Sequence, residues 1–159
     1  MTVEPQWRPE SPEHLRLRLW VRLLRAARPV EAELRRRLAH EFGMTLPKFD
    51  VMAALARRES GMTMTEVSRL LMVSNGNVTG LVDRLVAEGL VMRTANENDR
   101  RATFVRLTHK GLRLFAGMAE AHERWVNEIL ASFSDEQSEA MVGLLDALRA
   151  ETRTGGRSS

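Results

Sequence analysis

The fold is decided by the stretch from Met62 to Gly111, which reads MTMTEVSRLLMVSNGNVTGLVDRLVAEGLVMRTANENDRRATFVRLTHKG. In its first half, apolar residues recur at spacings of three and four, which predicts two short helices joined by a tight turn. In its second half, two short apolar runs, 90–94 and 103–107, flank a polar stretch and predict a β-hairpin with a charged tip. Two short helices followed by such a hairpin are typical of a winged helix-turn-helix.

The second predicted helix has one apolar face and one exposed face. The apolar stripe consists of Val78, Leu81, Val82, Leu85 and Val86. On a helical period, the opposite face presents Gly76, Asn77, Gly80, Asp83, Arg84 and Ala87. A recognition helix presents such a face to the major groove of DNA, and an asparagine near its N-terminus can pair with adenine through two hydrogen bonds.

Two features of this helix each allow two interpretations. Gly76 and Gly80 each cost about 1 kcal/mol relative to alanine on an exposed helical face. They either let the helix backbone approach the duplex or are neutral substitutions. Asn75 either contacts a base or makes a local capping contact beside Ser74, which caps the helix. Both pairs of alternatives stay open at the level of the sequence.

The tip of the predicted hairpin carries Asp99, Arg100 and Arg101. Guanidinium groups at this position can contact phosphates or enter the minor groove, whereas a wing that only stabilises the fold has no evident need for this much arginine. Since a carboxylate repels phosphate, we expect Asp99 to orient Arg93 or Arg101 through a charge-assisted hydrogen bond. The predicted DNA-contacting residues are Ser74, Asn75, Gly76, Asn77, Thr79, Gly80, Arg84, Arg93, Arg100 and Arg101.

Helical spacing also predicts long helices on both sides of this unit. In chain order we predict an irregular arm over 1–11, a helical segment over 12–45, a DNA-binding lobe over 46–109, further helices over 110–152 and a disordered tail over 153–159. Pro29 lies inside the first helical segment and is expected to kink or break it. The predicted fold class is mainly α with a small β-hairpin: a winged helix-turn-helix flanked by N- and C-terminal helices.

The composition argues against several functional classes. The chain has no cysteine, which removes disulfides, thiolate metal sites and cysteine redox switches and is compatible with a reducing cytoplasm. No apolar run is long enough to cross a membrane. The four histidines are scattered, and we find no phosphate-binding loop, nucleophile elbow or paired carboxylates. We therefore expect no catalytic residues, no metal or cofactor and no membrane partner.

The hairpin and the second helix together resemble one known family. The run Arg93-x5-Asp99-Arg100-Arg101, continued by Val105-x-Leu107-Thr108-x2-Gly111, resembles the wing signature of the multiple-antibiotic-resistance regulator (MarR) family. Residues 71–91 resemble its recognition helix, and the resemblance extends over nearly the whole chain. It implies an obligate homodimer, held together by the N- and C-terminal helices, on a pseudo-palindromic operator in double-stranded DNA. The terminal helices also carry more apolar surface than a thin core can absorb, including Trp20, Phe115, Trp125 and Leu144.

The resemblance also implies a small effector, often aromatic or anionic, in a cleft between the dimerisation helices and the DNA-binding lobe. Residues 17–24, 31–37, 45–50 and 72–78 resemble repressors of hydroxycinnamate catabolism, which respond to an aromatic acyl-coenzyme A thioester. The candidate ligand-binding residues are Trp20, Arg35, Arg36, Arg37, His40 and Asp50. The three arginines would suit coenzyme A phosphates, although a surface role or a DNA contact is equally open.

These observations together predict a homodimeric, sequence-specific DNA-binding transcriptional regulator. We expect a repressor that a small aromatic or aromatic acyl-coenzyme A ligand releases from DNA. The alternative is a winged-helix module that contacts protein or RNA and has no small-molecule inducer.

Overall fold

A computed structural model describes residues 12–95 and 103–155 of the chain. In chain order the elements are α1 (Pro12–Phe42), α2 (Leu46–Ala56), β1 (Met62–Thr63), α3 (Met64–Leu71), α4 (Asn75–Ala87), β2 (Val91–Ala95), β3 (Thr103–Leu107), α5 (His109–Ile129) and α6 (Asp135–Gly155). The predicted fold class, mainly α with a small antiparallel sheet in a winged helix-turn-helix, is confirmed. None of the helices in the described ranges is long and apolar enough to cross a membrane.

The first helix is more continuous than Pro29 led us to expect. It runs through Pro29 without a break, because a single proline removes one main-chain hydrogen bond and the turns on either side keep theirs. It ends at Gly43, whose φ of +58° is in the left-handed region. The amide of Gly43 donates to the carbonyl of Ala39 at 3.1 Å, and that of Met44 donates to the carbonyl of Leu38 at 3.3 Å.

A three-stranded antiparallel sheet, ordered β1-β3-β2, forms the wing and its base. The predicted hairpin corresponds to β2 and β3, with Val91 opposite Leu107 and Ala95 opposite Thr103. Strand β1 was not predicted, because two residues are too few to show an alternating pattern. Gly61, directly before β1, has φ +89°, and a Cβ there would lie 2.9 Å from the carbonyl oxygen of Val105, so only glycine fits this turn.

The core of the first compact unit, Met1–His122, lies between α2, α3, α4 and the sheet. Its fully buried side chains include Met52, Leu55, Val67, Val78, Val82, Leu85, Val91 and Val105. Three of the five residues predicted as the apolar stripe of the second helix, Val78, Val82 and Leu85, are fully buried. Leu81 and Val86 are half-buried. The pattern therefore identified the inward face of α4 correctly.

The second compact unit, Glu123–Ser159, contains α6. The helix begins with a reciprocal cap, in which Ser134 Oγ accepts from the amide of Gln137 and Gln137 Oε1 accepts from the amide of Ser134. It continues to Gly155, past the point at residue 153 where we predicted the tail to start. The rest of that tail and the predicted arm over 1–11 lie outside the described residues.

Candidate nucleic-acid interface

The turn between α3 and α4 is built from local hydrogen bonds. A capping box starts α3: Thr63 Oγ1 accepts from the amide of Glu66 at 3.2 Å, while Glu66 Oε2 accepts from the amide of Thr63 at 2.8 Å. The helix ends at Met72, which has φ 55°. Ser74 then occupies the N-cap of α4, and its hydroxyl accepts from the amide of Asn77 at 3.5 Å. These bonds fix the angle at which α4 leaves the turn.

Asn75 joins the two helices of this motif. Its side-chain oxygen accepts a hydrogen bond from the hydroxyl of Ser68, a buried residue of α3. A buried hydroxyl needs such a partner, because leaving it unpaired is unfavourable. Of the two roles that the sequence left open for Asn75, the structure contains a local one, although the bond goes to α3 rather than to the cap.

The outward face of α4 is an open groove. Pro47, Val73, Gly76, Asn77, Gly80, Leu81 and Arg84 line a space of about 520 Å³ along it. A Cβ added to Gly76 or Gly80 would meet nothing within 4 Å. Internal packing therefore does not explain these two glycines. Thr79, an exposed residue of α4 that does not line the groove, donates its hydroxyl to the carbonyl of Asn75 at 2.8 Å.

An ion pair joins the wing to α4. Arg93 Nη2 in β2 lies 2.6 Å from Asp83 Oδ1 in α4, and both side chains are exposed. We expected Asp99 to orient Arg93 or Arg101; in the structure Arg93 has Asp83 as its partner. Asp99, Arg100 and Arg101 lie outside the described residues. The sequence placed Asp83 on the outward face but gave no signal that β2 runs past it.

The base of the wing is bonded to the end of α4. Thr108 Oγ1 donates to the carbonyl of Gly89 at 2.7 Å and accepts from the amide of Gly111 at 3.0 Å. A Cβ at Gly111 would lie 2.0 Å from the carbonyl oxygen of Leu90, so no other residue fits where α5 passes the residue that precedes β2. Lys110 Nζ donates to the carbonyl of Glu88 at 2.9 Å. The Thr108-x2-Gly111 spacing is therefore explained by the hydrogen bonds of Thr108 and by the close contact of Gly111 with the backbone of Leu90.

The predicted ligand-binding arginines are paired with acids of their own helix. Arg35 pairs with Glu31, while Arg36 and Arg37 both lie 2.7 Å from Glu33. The hydrogen bonds from Arg36 and then Arg37 lower the pKa of Glu33 to about 2. The three guanidinium groups are therefore held along α1 rather than gathered around one pocket.

The remaining candidates for the ligand site are spread over two helices. Trp20 lies fifteen residues before Arg35 on α1, which at 1.5 Å per residue is roughly 22 Å. A small aromatic ligand cannot contact both within one chain. His40 is exposed in the last turn of α1, and Asp50 lies on α2.

An aromatic cluster lies between α2 and α5, next to Asp50. It was not predicted from the sequence. The rings of Phe49 and His122 are stacked with centroids 4.8 Å apart, and Phe115 lies 5.7 Å from Phe49. Burial raises the pKa of Asp50, against the effect of His122. Burial also lowers the pKa of His122, against the charge of Asp50. The partners come from α2 and α5, so no periodicity within one helix could reveal them.

Comparison with known proteins shows which family has this sequence and fold. A sequence model described as the MarR family matches residues 42–102. The crystal structure of a MarR family transcriptional regulator from Silicibacter pomeroyi is 38% identical, with a TM-score of 0.72 over 91% of this chain and 99% of that one. The chain belongs to the MarR family of transcriptional regulators.

Two further comparisons extend this assignment. The transcriptional activatory protein BadR of Rhodopseudomonas palustris is 33% identical over 74% of this chain and 68% of its own length. The MarR family regulator Sco3205 of Streptomyces coelicolor, solved in complex with DNA, is 23% identical with a TM-score of 0.78 over 93% and 91% of the two chains. At that identity Sco3205 shows the shared fold alone. These proteins are regulators rather than enzymes.

Proposed function

We propose that this MarR-family chain is a homodimeric, sequence-specific repressor that binds operator DNA through α4 and the wing. The observation that carries the proposal is the outward face of α4, where Gly76 and Gly80 have no packing role and open space lies in front of them. The backbone of such a helix can approach base edges closely. Exposed Asn77 and Arg84 on the same face supply groups that hydrogen-bond to bases and phosphates.

The charge around this face also favours a polyanion. The N-terminus of α4 has main-chain amides that suit phosphate. Arg84 and Arg93 lie on its outward face and on the adjoining strand, and Arg100 and Arg101 follow in the wing sequence. Arginine binds phosphate through two parallel hydrogen bonds, which lysine cannot do. We propose Ser74, Gly76, Asn77, Gly80, Arg84, Arg93, Arg100 and Arg101 as the DNA-contacting set, with Asn75 and Thr79 supporting the helix.

Exposed apolar side chains support the homodimer. In the first unit, α1 exposes Leu15, Leu17, Leu19, Trp20 and Leu24. In the second unit, every described side chain from Asp135 to Ala150 is exposed, including Met141, Val142, Leu144 and Leu145. An amphipathic helix with no buried side chain gains too little from propensity alone to be stable in water. A second copy would cover these faces and set two α4 helices one DNA turn apart, roughly 34 Å.

The effector in this proposal is a small aromatic molecule or an aromatic acyl-coenzyme A. The half-buried ring of His122, which stacks on the buried ring of Phe49, and the exposed Asp50 nearby offer a small aromatic surface next to a polar group. The three arginines of α1 are already paired with acids: Arg35 with Glu31, and Arg36 and Arg37 with Glu33. Coenzyme A phosphates would have to displace these acids. Ligand binding would release DNA by favouring a spacing of the two α4 helices that no longer fits adjacent major grooves.

The proposal is tested by selecting bound duplexes from a random pool. We expect enrichment of a pseudo-palindrome with half-site centres about 10 base pairs apart, and a molecular mass in solution twice that of the chain. Enrichment of single half-sites, or tighter binding to single-stranded RNA than to any duplex, would reject it. Calorimetry with hydroxycinnamoyl-coenzyme A thioesters tests the effector separately; absence of binding and of operator release would remove that branch.

Activation is a second candidate, because BadR is named as a transcriptional activatory protein. Transcription from a promoter carrying the enriched site separates the two. A repressor lowers transcript yield when its site overlaps the promoter, and the effector restores it. An increase in transcript upon adding the protein would make this chain an activator.

A further inference from the structure

We propose that the DNA-binding unit has a second ligand site of its own, which binds an amphipathic monocarboxylate at the base of the wing. A cavity of about 400 Å³ lies between the end of α2, strands β2 and β3 and the first turn of α5. Small-molecule sites typically occupy about 300–1,000 Å³, so the volume suits a compact ligand. All of its lining residues belong to the first compact unit.

The walls of this wing-base cavity are largely apolar. Leu55 and Leu107 are buried, whereas Met92 and Leu112 also line it yet keep 37% and 43% of their surface exposed. Single exposed apolar side chains are common, but two that line the same cavity form a surface that an apolar ligand can cover. The body of the ligand is therefore apolar.

Arg106 supplies a positive charge to the cavity. This residue lies directly opposite Met92 in the pairing of β2 with β3, and it lines the cavity. Within residues 12–95 and 103–155, no carboxylate is within ion-pair distance of Arg106. By contrast, Arg58 on the same wall is already bonded to Glu66 at 2.8 Å. An available guanidinium beside apolar walls selects a carboxylate with an apolar body.

Glu59 also lines the cavity, and its charge restricts which ligands can bind. Its carboxylate repels a second negative charge, which disfavours dicarboxylates and phosphate esters. It would attract the ammonium group of an amino acid, so a zwitterion is the competing class. The two classes respond oppositely to removal of the Glu59 charge.

The test uses the full chain labelled with [13C-methyl]methionine and titrated with 3-phenylpropanoate, without DNA. The Met92 methyl signal, assigned with a Met92→Leu variant, reports on this cavity and not on the Phe49–His122 cluster. We expect saturable movement of that signal, with binding at least about tenfold weaker for the neutral 3-phenylpropanamide and for Arg106→Gln, because each loses a charge-assisted hydrogen bond. Arg113→Gln is the matched control, since Arg113 is exposed and does not line the cavity; its affinity should be unchanged.

Glu59→Gln should bind 3-phenylpropanoate as tightly as the unaltered chain or more tightly. A Met92 signal that stays fixed up to millimolar probe, or equal affinity for the acid and its amide, would overturn the proposal. Weaker binding in Glu59→Gln, matching the loss in Arg106→Gln, would replace the monocarboxylate with a zwitterion and also overturn it. Because no DNA is present, these outcomes leave the proposed repressor function unaffected.

Discussion

Arg93, on the first strand of the wing, forms an ion pair with Asp83 on the recognition helix α4, with 2.6 Å between Nη2 and Oδ1. Asp83 is separated from Arg93 by the turn through Gly89, so the pair joins two elements that would both face DNA. An exposed pair of this kind contributes little to stability, at most about 1 kcal/mol. Its position suggests that it orients Arg93.

The first prediction concerns this pair. Asp83→Asn removes a negative charge next to the proposed DNA surface, which alone would strengthen binding to phosphate. If Asp83 positions Arg93, the variant should instead bind the selected duplex more weakly, while its free energy of unfolding falls by less than about 1 kcal/mol. Fluorescence anisotropy on Asp83→Asn, Arg93→Gln and the double variant measures the coupling. Tighter binding by Asp83→Asn would show that the pair has no positioning role.

The second prediction concerns the tip of the wing. Replacing Arg100 and Arg101 with alanine should weaken binding to all duplexes and flatten the dependence of affinity on salt. The log–log slope should decrease by about 0.9 for each phosphate that the variant no longer neutralises. Affinity measured over a series of salt concentrations gives the slope, and Arg113→Ala serves as the control for removal of one arginine elsewhere. An unchanged slope in the double variant would remove the wing from the DNA-contacting set.

The third prediction concerns the start of α5. Gly111→Ala places a Cβ against the carbonyl oxygen of Leu90, a backbone atom that cannot move aside. We expect the free energy of unfolding to fall by about 3 kcal/mol or more. Gly117→Ala, six residues later in the same helix and with open space around it, should instead gain up to about 1 kcal/mol. Denaturant unfolding of both variants measures this, and equal stabilities would contradict the packing found here.

The fourth prediction concerns the pH dependence of stability. Because burial lowers the pKa of His122, the unfolded chain binds the proton more readily. The stability present above the ordinary histidine pKa of about 6.5 is therefore lost as the pH falls through the lower, folded value. His122→Phe keeps a ring against Phe49 and should flatten this loss, whereas His40→Gln should not. Unfolding curves recorded between neutral and mildly acidic pH measure the loss of stability in each variant. If both variants lose the same stability on acidification, His122 is not its cause.

Asp50 acts in the opposite direction. Its pKa is raised mainly by burial, so the folded state holds its proton more tightly than the unfolded state. The corresponding stability is present below the ordinary aspartate pKa and is lost as the pH rises through the folded value. Because the two effects oppose each other, the His122→Phe comparison should be repeated in an Asp50→Asn background.

The winged helix-turn-helix could be predicted from the sequence because its signals are local. The residues of the apolar stripe of α4 lie within one short segment, and the change of period after Gly89 follows directly. β1 escaped prediction because two residues carry no pattern. The break that was one expectation for Pro29 does not occur, because the turns on either side keep their main-chain hydrogen bonds.

The candidate sites show the same difference between local features, which the sequence predicts, and contacts between distant residues, which it does not. The outward face of α4 followed from helical period alone, and the structure places Gly76, Asn77, Gly80 and Arg84 along one groove. The Arg93–Asp83 pair, the Phe49–His122 stack and the wing-base cavity each join residues that are far apart in sequence or on different elements. A single sequence contains no pattern for such contacts.

The most direct test of the central claim is the affinity of Gly80→Ala for the selected duplex, measured beside its free energy of unfolding. Alanine should stabilise α4 by up to about 1 kcal/mol, since nothing lies within 4 Å of the added Cβ. If the helix backbone approaches DNA at this point, affinity for the selected duplex should nevertheless fall, while Gly117→Ala gains stability and keeps its affinity. A Gly80→Ala variant that is more stable and binds the duplex as tightly as the unaltered chain would contradict the proposed interface.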